Sequence, residues 1–404
     1  MARRSEWTWA AALFAAAFAL YWGTALLAGS THSPDVAYFD HLAAAFLEGR
    51  LYLPHPPAVH DLTPYQGRWY VPFPPLPALL LLPWVAWRGV AGTSTVLFSS
   101  LMGAANVALV YLLLTGLSAR GWSRLGLRDN LWLTVLFGLG SVHWYMAPIG
   151  SVWFVAQICT VTFVALAVWL AVTTNSPWAA GTALAMAMLA RPNVAFTWVL
   201  LVGIAAQQLG EGWRTRPGVG RLVGWGVAAG LPMAIAVGGL LGYNLARFGS
   251  PWDFGYATEN VAERLAPDLH TYGQFNLRYL GRNFWAMWLA LPEWSWRHNL
   301  PLPNPEGMSL LLTTPALVYL ARARSRTPLV LGAWGAFLLL MVPLLLYYNT
   351  GWYQFGYRFS LDFMVPVMVL LAVAAGERVS PWMRGLILAG VLVNLAGVLW
   401  WFFR

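Results

Sequence analysis

Apolar residues in this chain fall in runs longer than a soluble core needs. Trp7 to Pro34, Gly89 to Ala119 and Asn130 to Ala190 contain no charged residue. An α-helix rises 1.5 Å per residue, so about 20 apolar residues carry it through the ~30 Å of hydrocarbon in a bilayer. The pattern predicts an all-α polytopic membrane protein. Helices are expected over about 7–29, 95–117, 131–148, 153–173, 178–190, 194–209, 222–244, 305–321, 327–347, 361–376 and 385–402. That makes about eleven spans in a single domain over residues 1–404.

One apolar segment departs from this pattern. Val71 to Trp87 is apolar enough to span but contains Pro72, Pro74, Pro75, Pro77 and Pro83. Proline removes a backbone donor and breaks helix interiors. The segment over 71–92 is therefore expected to be interfacial or re-entrant. Two long loops remain on the same side, over about 30–94 and about 245–304, with a shorter one from Tyr347 to Leu361.

Charge sets the orientation. Only 10% of residues are charged and 59% are apolar, against about 25% charged in an ordinary soluble domain. All 24 basic residues are arginine. They cluster at Arg3/Arg4, Arg120/Arg124/Arg128, Arg214/Arg216/Arg221, Arg322/Arg324/Arg326 and Arg378/Arg384. Short cytoplasmic loops carry such excess, so the N-terminus is expected inside and the long loops outside. The net charge of +9 then reports topology and not nucleic-acid binding. Arg3 and Arg4 before an apolar stretch resemble a signal peptide, but the length of the stretch and the spans behind it favour an uncleaved first helix. The single cysteine, Cys159, excludes an intramolecular disulfide and a zinc site of its own.

Polar chemistry gathers in the outer loops. Ser33-Pro34-Asp35 is expected to open an amphipathic surface helix ending near Gly49, with Asp35 in its first turn. Asp35 is either a helix-dipole residue or a catalytic acid, with Asp40 as its rival. Asp61 to Tyr70 reads as a loop with a turn at Tyr65-Gln66-Gly67-Arg68. Tyr243, Asn244 and Arg247 lie at the outer end of one span. Tyr357, Arg358 and Asp362 lead into another, where the four-residue spacing puts Arg358 and Asp362 on one helical face. Trp285, Trp288, Trp294, Trp296, Trp352 and Tyr353 crowd the outer loops as sugar-stacking surfaces or, for most of them, interfacial anchors. His32, His41, His55 and His60 lack a zinc spacing.

The ordered series Pro34-Asp35-x-x-Tyr38, Leu47-x-Gly49-x-Leu51-Tyr52, Gly67-x-x-Tyr70 and Pro74-Pro75-Leu76 resembles the start of C-type (GT-C) membrane glycosyltransferases. It is most similar to bacterial protein O-mannosyltransferases and lipid A aminoarabinose transferases. The Arg191-Pro192 turn and the stretches from Tyr243 and Gln354 are also similar to bacterial members. The resemblance implies a GT-C bundle with juxtamembrane helices in the first outer loop. It implies a sugar donor on a polyprenyl phosphate, a glycan, lipid or protein acceptor, and an active site on the outer face of the bacterial cytoplasmic membrane. Asp35 matches the family's catalytic base. Tyr38, Arg191, Tyr243, Asn244, Arg247, Tyr357, Arg358 and Asp362 become substrate-binding candidates, with Asp362 orienting Arg358 against the lipid phosphate. No cofactor is expected. A divalent metal is left open, but Pro72, which cannot bind one, stands where the aminoarabinose enzymes carry an acidic ligand and weakens any carried-over metal site. A glycan ligase, polymerase or flippase is the alternative, and a secondary transporter a more distant one.

Overall fold

The structure, a computed structural model, describes residues 2–297 and 299–403, with the side chains of Ala2, Arg3 and Arg4 outside the described set. It is largely helical. Helix α1 (Ala2–Leu27) is followed by α2 (Phe39–Leu47) and α3 (Leu76–Arg88). Then come α4 (Thr95–Ala119), α5 (Leu127–Gly138), α6 (His143–Met146), α7 (Val152–Thr174), α8 (Pro177–Met188), α9 (Trp198–Gln208) and α10 (Arg216–Phe248). The chain closes with α11 (Ala266–Tyr272), α12 (Leu280–Trp288), α13 (Leu310–Thr313), α14 (Pro328–Leu346), α15 (Leu361–Ala374) and α16 (Pro381–Phe402).

Among the described residues, six helices are long and apolar enough to cross a membrane: α1 from Ser5, α4, α7, α10, α14 and α16. This makes the chain an integral membrane protein. The other expected spans are shorter than anticipated. Helix α5 has 12 residues, α8 12, α9 11 and α15 14, or about 16–21 Å each. Two expected helices are broken. The one over 131–148 stops at Gly138 and resumes as α6, and the one over 305–321 is α13 followed by a 3-10 helix over Pro315–Arg322. Pro315 has no amide proton for the α-helical bond, so the backbone tightens there.

Helix α3 has 13 residues, about 20 Å, and it packs on α2. The segment that carries it begins and ends at one place. Ser94 Oγ donates to the Thr31 carbonyl (2.6 Å), Ser33 Oγ accepts from the Thr95 amide (3.0 Å), and α1 packs alongside α4. Residues 28–94 therefore leave the bundle and return to it at the same end.

At the opposite end two of the arginine-bearing turns meet. Arg124 pairs with Glu377 (3.3 Å) and Arg384 with Asp129 (3.6 Å). Between the ends, helices approach through small residues, which replace the hydrophobic drive that lipid removes. A Cβ on Gly203 of α9 would lie 2.7 Å from the Pro328 carbonyl and 2.9 Å from Gly332 Cα of α14.

Candidate active site

The first long loop folds as a hairpin and is sewn to the second. Strands β1 (Thr63–Tyr65) and β2 (Arg68–Tyr70) pair antiparallel around Gln66-Gly67, both at positive φ as a tight hairpin turn requires. The Asp61 amide donates to the Asn260 carbonyl (2.8 Å) and the Asn260 amide to the Leu62 carbonyl (2.9 Å). Thr63 Oγ1 donates to the Gly255 carbonyl (2.7 Å) and Tyr65 to the Phe248 carbonyl (3.0 Å). These bonds set Asp61 and Glu259 side by side.

A cavity of about 200 Å³ opens there, lined by His60, Asp61, Trp153, Arg191, Glu259 and Arg358, with Trp352, Tyr353 and Trp401 among its aromatic walls. Trp153 Nε1 donates to Asp61 Oδ2 (2.8 Å), and His60 lies 3.6 Å from Oδ1. Burial pushes the Asp61 carboxyl above its usual range, while His60, the Trp153 bond and the Arg358 charge pull it back. Glu259 is 4% exposed and its Oε2 has no hydrogen-bond partner. Burial first, then the Asp61 charge, hold its carboxyl well above the usual range. Both carboxyls are thus raised, Asp61 against three opposing influences and Glu259 against none.

Arg358 is buried. Its Nε donates to the Gly351 carbonyl (3.0 Å), and its guanidinium faces the rings of Phe154 and Phe359 at 5.3 and 4.8 Å. Asp362 does not orient it. Arg358 sits in a 3-10 turn and α15 starts only at Leu361, so the two side chains do not share one helical face. Asp362 Oδ2 instead accepts from Arg191 Nη2 (2.7 Å), Arg191 Nε (3.2 Å) and Asn193 Nδ2 (2.7 Å).

A second, mostly apolar cavity of about 270 Å³ lies between α10 and α14, with Leu240, Pro343 and Leu344 in its wall. Asn244 and Arg247 line it, and it shares Phe73, Arg191, Tyr347 and Phe359 with the first. Arg247 is 4% exposed. It donates to the Val71 carbonyl (2.6 Å) and to Asn244 Oδ1 (2.7 Å), and stacks 3.9 Å above the Tyr243 ring.

The remaining expected site residues fall outside the cavities. Asp35 is exposed, in a turn ahead of α2 and not in its first helical turn, and Ser33 serves α4 instead. Asp40 is fully buried and lines neither cavity. Tyr38 is buried and donates to the His60 carbonyl (2.6 Å), so the Pro34-to-Tyr38 motif supports the Asp61 loop from behind. Tyr243 and Tyr357 are covered, the first beneath Arg247. Asp61 had read as ordinary loop, and Trp153 and Glu259 carried no local pattern that marks them. Among the described residues no three His, Cys, Asp or Glu side chains are grouped to hold a metal, and Pro72 offers no side-chain donor.

The fold is similar to that of ArnT. The crystal structure of ArnT from Cupriavidus metallidurans bound to undecaprenyl phosphate matches 96% of this chain with a TM-score of 0.55 at 14% identity. The chain spans 64% of the length of that ArnT. No family model matches the sequence, and no curated protein sequence matches it. The likeness to ArnT is one of fold.

Proposed function

We propose that this protein is a membrane glycosyltransferase that moves a sugar from a polyprenyl-phosphate donor to an acceptor at the outer face. The observation that carries the reading is the junction of the two cavities at Arg191. A polyprenyl chain in the apolar cavity would place its phosphate among Arg191, Arg247 and Arg358, and its sugar in the polar cavity beside Asp61. The fold similarity to a protein crystallised with undecaprenyl phosphate supports this donor class.

The chemistry follows from the cavity. An acceptor hydroxyl attacks the anomeric carbon and passes its proton to a carboxylate. The bond from that carbon to the phosphate oxygen breaks, and the lipid phosphate leaves with its extra charge facing fixed guanidinium groups. A single displacement inverts the anomeric centre. The family resemblance points to Asp35 as base and the cavity points to Asp61. We assign the proton to Asp61, which faces the cavity while Asp35 does not.

About eleven passes fit this reading. The short helices α5, α8, α9 and α15 are each extended by adjoining turns, and 3-10 segment 315–322 supplies a further pass. The meeting of the arginine-rich turns at one end supports a cytoplasmic position for that end. The site then faces outward.

The test is release of lipid phosphate from several polyprenyl-phosphate sugars by the purified protein in nanodiscs. Asp61→Asn is expected to abolish turnover and keep lipid binding, while Asp35→Asn keeps turnover. The reverse pattern moves the base to Asp35. No release from any sugar overturns the activity itself.

A further inference from the structure

Glu259 lines the polar cavity, and the displacement leaves its chemistry unused. Its position is fixed by the Asp61–Asn260 and Asn260–Leu62 backbone bonds, not by a bond to its carboxyl. The residue is 4% exposed, it lines the cavity, and Oε2 has no partner. Buried polar groups are otherwise almost always hydrogen-bonded.

The groups facing it come from several segments. His60 and Asp61 belong to the first long loop, and Tyr256 to its own segment. Tyr347 and Tyr348 follow α14, and Arg191 and Arg358 complete the wall. Burial first, and after it neighbouring groups that include Glu259, raises the phenols of Tyr256, Tyr347 and Tyr348. As an acid, Glu259 has an O–H without an acceptor in a cavity that also holds two guanidinium groups. A ligand that satisfies all three brings an anionic oxygen. As a carboxylate, Glu259 would put a second negative charge next to Asp61 and repel the same ligand.

We propose that un-ionised Glu259 is a donor-binding residue that gives its O–H to a phosphate oxygen of the lipid-linked donor, so that the site admits the donor only while Glu259 holds its proton. This rests on the lipid-phosphate reading of the site. It assigns to one carboxyl a role opposite to that of its neighbour: Asp61 takes a proton and Glu259 keeps one.

The experiment measures binding of polyprenyl methyl phosphate to the full-length protein in nanodiscs across neutral and alkaline pH. This diester has no sugar to be transferred, and its phosphate carries a constant single charge over the range. The dissociation constant of the wild type is expected to rise with pH by up to ~tenfold per unit once Glu259 ionises. Glu259→Gln, nearly isosteric and unable to ionise, is expected to bind with a flat profile. Asp61→Asn removes the charge that raises Glu259, so its loss of binding should begin at lower pH. Thermal unfolding without ligand checks that each variant is folded. A wild-type profile that is flat, or an alkaline loss that persists in Glu259→Gln, overturns the proposal. If no variant binds the diester at any pH, the lipid-phosphate reading falls with it.

Discussion

Replacing Asp362 by Asn removes one charge from the best-formed buried ion pair at the site. The Asp362 side chain is 1% exposed and that of Arg191 19%. Three donors converge on Asp362 Oδ2, two from Arg191 and one from Asn193. Breaking a buried pair by removing one partner typically costs about 3–5 kcal/mol, because the other charge stays desolvated. Arg191 keeps some contact with the cavity, so the lower end applies, ~3 kcal/mol or about two powers of ten in the folding equilibrium. The assay is unfolding free energy in detergent for Asp362→Asn, Arg191→Gln and the double variant. The double variant should cost less than the sum of the singles by ~2 kcal/mol, since the second substitution removes the stranded charge. Donor binding should weaken as well, because an unanchored guanidinium loses its fixed aim at the cavity. A single-variant cost below ~1 kcal/mol with additive effects, as for an exposed pair, would refute the argument.

Trp153→Phe removes the indole donor that favours ionised Asp61, so the Asp61 carboxyl rises further. As a base Asp61 works only when deprotonated, and the acid limb of the pH–rate profile should move to higher pH; an unmoved limb separates Asp61 from the proton transfer. Gly203→Leu drives a side chain into the Pro328 carbonyl and Gly332. Overpacking typically costs about 1–3 kcal/mol, and more is expected where backbone must move; a wild-type melting temperature would show that α9 and α14 do not approach this closely. A cysteine in place of Arg124 should react with a membrane-impermeant reagent only after permeabilisation, and labelling of intact cells would invert the proposed orientation.

The hydrophobic runs located the long helices well. Helices α4, α7, α14 and α16 begin and end within a few residues of their expected bounds, because hydropathy alone decides such elements. The short passes were harder. Hydropathy does not register that Pro315 forces a 3-10 path or that α5 stops at Gly138. Of the residues that line the two cavities, the arginines were legible in the sequence and the carboxylates were not. Arg191, Arg247 and Arg358 stood out as ionisable residues next to apolar runs. The pairing of Arg358 with Asp362 failed because periodicity assumes an unbroken helix. Asp61 and Glu259 had no such marker: their burial comes from contacts between two loops, and no local pattern encodes a partner that distant. Tyr38, a substrate-binding candidate in the sequence, donates its hydroxyl to the His60 carbonyl and so braces the Asp61 loop.

The stitching of the two long loops also sets a timetable for biosynthesis. Val59 and Asn260, which bond across the seam, are 201 residues apart in the chain. At a translation rate of about 5–20 residues per second, the first loop waits some ~10–40 s for its counterpart to emerge. During that interval helices α4 and α7 are already made, but the wall that encloses Asp61 is not. A nascent chain therefore carries Asp61 before Glu259 and the rest of the second loop can enclose it. Under the proposed function the site is complete only after the second loop is made, and a fragment ending before residue 259 should insert into the membrane and remain inert.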